Sequence, residues 1–91
     1  MLHLIKSSHA LEEALLLCTA SDAIVLLEEA VYAATSVYPL RSLLPKQGVY
    51  VLHADVLARG LESRVSTNIA IVDYHQLVDL TVEHSPSLTW S

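Results

Sequence analysis

The chain has 91 residues, of which 53% are hydrophobic and only 16% charged, with a formal net charge of −5. A chain of this length forms one domain, here residues 1–91, and buries only about two-thirds of its unfolded surface. That leaves more apolar material than it can hide, so part of it is expected to face another chain. Five Lys and Arg (Lys6, Arg41, Lys46, Arg59 and Arg64) are scattered along the sequence, without the clustering that nucleic-acid binding requires. A direct nucleic-acid role is therefore not expected. The longest apolar runs, such as Ala14–Cys18 and Ala23–Leu27, fall far short of the ~20 residues of a membrane span. With no basic-then-apolar leader after Met1, the expected location is the cytoplasm. Cys18 is the single cysteine, which excludes an internal disulfide and multi-cysteine metal sites.

In chain order, Leu2–Ile5 reads as a strand. Ser8 is expected to cap a helix running to about Thr19, with Leu11, Ala14, Leu15 and Cys18 on its inner stripe. Ala23–Leu27 is uniformly apolar, as in a parallel strand covered on both faces. A helix is expected over Ala30–Ser36, then a loop punctuated by Pro39, Pro45 and Gly48. Val49–Leu52 is the third strand, Asp55 the cap of a short helix Val56–Arg59, and Gly60 its left-handed end. Ile69–Val72 is the fourth strand. Asp73 and Gln76 have capping-box spacing, and the last helix carries Tyr74, Leu77, Val78 and Thr81 on one stripe before Pro86. The alternation predicts an α/β fold: a small, doubly wound, mainly parallel sheet of four or five strands with helices on both faces.

Ligand sites in such sheets lie at the strand carboxyl ends, here near Lys6–Ser8, Glu28-Glu29, His53–Asp55 and Asp73–His75. Two glycines cannot build a glycine-rich phosphate loop, and no catalytic motif occurs. His3, His9, His53, His75 and His84 include no i, i+4 pair. The histidines are expected in exposed loops, with Asp55 and Asp73 as caps, so neither a metal nor a cofactor is expected. Glu28-Glu29 suits a helix start better than acid–base work. Cys18 lies near a helix C-terminus, where the dipole disfavours a thiolate. An inert core cysteine is expected, with a sulfur carrier as the alternative. Leu88 and Trp90 are expected to anchor the tail. The apolar stretch with Val31, Tyr32, Tyr38, Leu43 and Leu44 is the expected partner interface.

Several segments in order, Met1-Leu2-His3, Leu26–Ala34, Val49–Leu52, Asp55–Gly60, Ile71–Tyr74, Leu77–Thr81 and Trp90, resemble the TusB/DsrH family. The resemblance implies a DsrE/F/H-like fold and a sulfur-relay role. In the TusB branch it implies a heterohexamer with TusC- and TusD-like subunits, linked indirectly to TusA- and TusE-like carriers and directed to 2-thiolation of the tRNA wobble uridine. In the DsrH branch it implies dissimilatory sulfur oxidation. The principal sulfur-carrying cysteine is implied to belong to the TusD/DsrE-type partner, which leaves this chain a non-catalytic subunit. The family often places Gly after an acid following the second strand. Here Ala30 follows Glu29, so the helix is expected to start earlier.

Overall fold

The computed structural model describes residues 1–35, 43–45 and 47–91. In chain order the elements are β1 (Leu2–Ile5), α1 (Ser8–Leu17), β2 (Ala23–Leu26), a 3-10 helix (Glu28–Ala34), β3 (Val49–Leu52), α2 (His53–Ala58), a short 3-10 turn (Glu62–Arg64), β4 (Ala70–Val72), α3 (Tyr74–Glu83) and β5 (Ser87–Trp90). All five strands are parallel, in the order β4-β3-β2-β1-β5. This is the expected α/β fold, and the fifth strand lies beside β1, with Ile5 opposite Trp90.

Helix placement follows from crossover handedness. The chain steps from β1 to β4 in one direction, so α1, the 3-10 helix and α2 share one sheet face. The return from β4 to β5 steps the other way and carries α3 to the opposite face. The main core contains Ile5, Leu11, Ala14, Ile24, Leu26, Val31, Val51 and Val56. A smaller cluster on α3's side contains Leu2, Ala23, Val25 and Leu80, with Leu4, Leu77 and Tyr50 packed against it. β2, central in the sheet, is buried at every residue, as its unbroken apolar run requires.

Several local expectations shift. The cap of α1 is Ser7, not Ser8: its side chain accepts from the Ala10 N–H at 3.1 Å. α2 begins at His53 without a side-chain cap, so Asp55 sits within its first turn. The second crossover is a 3-10 helix that starts at Glu28 rather than Ala30. Glu28 itself takes the left-handed conformation, with φ 49°. On α3 the inward residues are Leu77 and Leu80, whereas Tyr74 and Val78 are exposed. The Asp73–Gln76 capping box forms, with bonds of 2.8 and 2.9 Å. Gly60 closes α2 at φ 66°, and the Leu61 N–H returns to the Val56 carbonyl at 3.0 Å.

Candidate functional site

At the carboxyl ends of β1, β2 and β3 the polar groups are already committed to one another. The N-terminus of α1 presents free N–H groups and the positive end of the helix dipole. Glu29 fills that position: its carboxylate accepts the Ser8 N–H at 3.0 Å and the Ser8 hydroxyl at 3.0 and 2.9 Å. Asp55 accepts the Glu28 N–H at 2.7 Å, tying the end of β2 to α2 and holding the left-handed Glu28 in place. Lys6 lies 3.8 Å from the Glu28 carboxylate, His53 lies 3.5 Å from Glu62, and these exposed pairs complete the rim. His75 pairs with Asp79 on α3 instead of meeting His53. Among the described residues, no three His, Cys, Asp or Glu side chains are placed to hold a metal ion. The Glu29 carboxylate, the nearest candidate for acid–base work, serves as a helix cap.

A second polar cluster lies inside the fold and runs from Asp22, just before β2, through His3 in β1 to Trp90 at the carboxyl end of β5. His3 is not an exposed loop residue; it lies in β1 at 1% exposure. Its Nδ1 accepts the Trp90 indole N–H at 3.1 Å, and its Nε2 lies 2.9 Å from the Asp22 carboxylate. With Nδ1 accepting, the neutral ring carries its proton on Nε2 and donates it to Asp22. Asp22 also accepts the Thr19 N–H and the N-terminal ammonium, at 3.1 and 3.2 Å. The His3 bond, then the Thr19 N–H and the ammonium, hold the Asp22 carboxyl well below the usual carboxylate range. The signal for His3 was its place inside an apolar strand covered on both faces, where it shares the main-core side with Ile5. Nothing in the sequence marked Asp22, beyond its place just before β2. Trp90 is thereby an anchor, packed against the main core.

Cys18 is the C-cap of α1, its N–H bonded to the Ala14 carbonyl at 3.1 Å. It is half-buried against the main core. Burial first, and the Asp22 charge second, push its thiol pKa up, which is opposite to the depression that activates a nucleophilic cysteine.

The residues of the expected interface fall in different places. Val31 is fully buried and belongs to the core, because the 3-10 helix turns it toward β2 and β3. Leu44 is partly buried against the same cluster. Tyr32 and Leu43 are exposed, at 41% and 61%. Tyr38 lies outside the described residues. A cleft beside α1, lined by Glu12, Glu13, Leu15, Leu16 and Leu43, adjoins this surface.

Fold and site together define an α/β domain whose strand-end carboxylates Glu29 and Asp55 bind its own backbone and whose thiol pKa is pushed up. The sequence profile of the DsrH like protein family matches residues 6–87. Protein TusB of Pectobacterium parmentieri is 41% identical over 99% of this chain and 100% of its own length. Protein TusB of Yersinia pestis (strain Pestoides F) and that of Yersinia pseudotuberculosis (serotype O:1b, strain IP 31758) are each 38% identical over 81% of this chain and 80% of theirs. The chain belongs to the TusB/DsrH family, a family of sulfur-relay subunits.

Proposed function

We propose that this chain is the non-catalytic subunit of a TusBCD-like sulfur-relay complex, required in the cytoplasm for 2-thiolation of the tRNA wobble uridine. The observation that carries the reading is the likeness to TusB across essentially both chains. The raised thiol pKa of Cys18 supports assigning sulfur chemistry to another subunit. TusC- and TusD-like chains are the proposed partners, in a heterohexamer linked indirectly to TusA- and TusE-like carriers. Tyr32 and Leu43 provide exposed apolar contacts on the α1 side of the sheet. Among the described residues, no helix is long and apolar enough to cross a membrane.

The test has two parts. Co-expression with the organism's TusC- and TusD-like subunits should yield one stable assembly containing all three. Deleting this chain should remove 2-thiouridine from tRNA, and a Cys18→Ser copy should restore it. Restoration by wild type but not by Cys18→Ser at equal abundance would make Cys18 a sulfur carrier. Normal thiolation in the deletion strain would overturn the assignment, with the DsrH-type role in sulfur oxidation as the reading to examine next.

A further inference from the structure

The exposed apolar residues of this fold lie on both sides of the sheet. Beyond Tyr32 and Leu43 on the α1 side, α3 carries Tyr74, Val78 and Val82 at 63%, 60% and 75% exposure. At about 100° per residue these three line up beside the inward Leu77 and Leu80, so the apolar surface covers roughly half the helix circumference. Packing on the sheet uses only the Leu77–Leu80 side. Helix formation does not explain the remainder, because valine is a poor helix former and exposed valine adds no burial in the isolated chain.

The border of this stripe has one sign of charge. Asp79 and Glu83 follow Val78 and Val82 directly, and no Lys or Arg occurs from Asp73 to Ser91. Among the described residues, the side chain paired with these acids is His75, 3.6 Å from Asp79. Behind the acids, between α3 and the sheet, lies a cleft of about 230 Å³ lined by Tyr50, Val72, Gln76, Asp79, Leu80 and Glu83. An apolar ridge that leads into a cleft walled by two carboxylates and a phenol complements an apolar segment carrying Arg or Lys. A second copy of this chain would bring acid against acid, and like charges disfavour that contact.

Resting on the function assigned above, we propose that the outer face of α3 is a second docking surface. Its occupant is a different subunit, which packs an apolar ridge on Tyr74, Val78 and Val82 and places a basic side chain in the Tyr50–Asp79–Glu83 cleft. The chain would then bridge two partners, one on each face of its sheet.

The experiment is quantitative co-purification of the co-expressed three-subunit assembly, with sedimentation of this chain alone. Two double variants carry it: Val78→Asp with Val82→Asp, and Asp79→Lys with Glu83→Lys. All four positions are exposed, so helical content by circular dichroism should match wild type. Each variant is expected to lower recovery of the assembly at least tenfold. Raising salt from about 0.1 M to about 1 M, which cuts the screening length from ~10 to ~3 Å, should weaken wild type but change Asp79→Asn with Glu83→Gln much less. If the valine variant misfolds, the charge-reversal variant decides. Full assembly by folded variants overturns this surface and leaves the functional reading intact. Failure of wild type to assemble overturns that reading and this inference with it. A wild-type homodimer that Val78→Asp with Val82→Asp dissociates would make the occupant a second copy and refute the proposal.

Discussion

Replacing Trp90 with Phe should destabilise the fold, chiefly through a lost hydrogen-bond donor. Trp90 ends β5, an edge strand whose other residues are exposed, and its indole N–H is the donor to Nδ1 of His3. Phenylalanine fills most of the same apolar space but leaves that nitrogen, on a ring 1% exposed, without a partner. An unsatisfied buried acceptor costs about 1–3 kcal/mol, and the smaller ring forfeits up to about 1 kcal/mol of burial. A net loss of about 2 kcal/mol corresponds to a fall in Tm of about 8–16 °C for a domain of this size. Trp90 is the only tryptophan, so unfolding is best followed by far-ultraviolet circular dichroism in urea. Hydrogen exchange should report the loss locally: the Lys6 N–H bonded to the Trp90 carbonyl at 2.9 Å should lose protection before the amides of β2. A double-mutant cycle with His3→Phe isolates the pair, with an expected coupling of about 1 kcal/mol. A Trp90→Phe loss below about 0.5 kcal/mol, within the range of ordinary surface changes, would refute the reasoning and make the indole–imidazole contact incidental.

Asp22 should impose an acid limit on stability. Its folded-state pKa lies below its ordinary value of 3.8, so its contribution is complete above that pH and is lost as pH falls toward the folded-state value. Asp22→Asn should therefore flatten the urea midpoint against pH below about pH 4, and an unchanged slope would contradict the network. Glu28→Gly should raise stability by up to about 1 kcal/mol, because glycine adopts the left-handed conformation without the penalty of a side chain. A drop in Tm would show that the exposed pair with Lys6 outweighs the strain. Cys18, its thiol pushed up by burial and by Asp22, should alkylate with iodoacetamide at pH 7.5 more slowly than glutathione, and faster labelling would revive it as a sulfur nucleophile.

Four of the five strands were legible in the sequence because their signals are collective, whereas β5, an edge strand with Ser87, Leu88 and Thr89 exposed, read only as an anchored tail. The unbroken apolar run Ala23–Leu27 read as a parallel strand covered on both faces, and the alternation of apolar runs with helical patterns pointed to the crossovers. The Asp73–Gln76 box was readable to the residue, since both partners lie within one turn. Pairs distant in sequence were not readable. Glu29 meets Ser8, Asp55 meets Glu28 and Trp90 meets His3 across 21, 27 and 87 residues, and only the register of the folded sheet brings them together. Asp55 illustrates the error that follows. An acid just before an apolar helical stretch reads as a cap, yet its carboxylate is taken by a backbone N–H from the neighbouring crossover. Helix faces failed for a related reason. Tyr74 and Val78 share a continuous stripe with Leu77, and periodicity cannot tell which part of a wide apolar arc meets the chain's own sheet.

The same wide arc bears on how such a subunit acts. In an open parallel sheet the crevice beyond the strand carboxyl ends, with the helix N-termini that face it, is where a small ligand would be held. Here Glu29 occupies the N-terminus of α1 and Asp55 holds the left-handed turn at Glu28, so that end of the molecule is braced internally by its own carboxylates. A buried polar network ties Asp22 before β2, His3 in β1 and Trp90 in β5 to one another. Exposed apolar side chains lie on both broad faces of the sheet, Leu16, Leu17 and Leu43 on one and Tyr74, Val78 and Val82 on the other. On the proposal made above, a chain that exposes apolar side chains on both faces of one sheet can meet a different neighbour on each face.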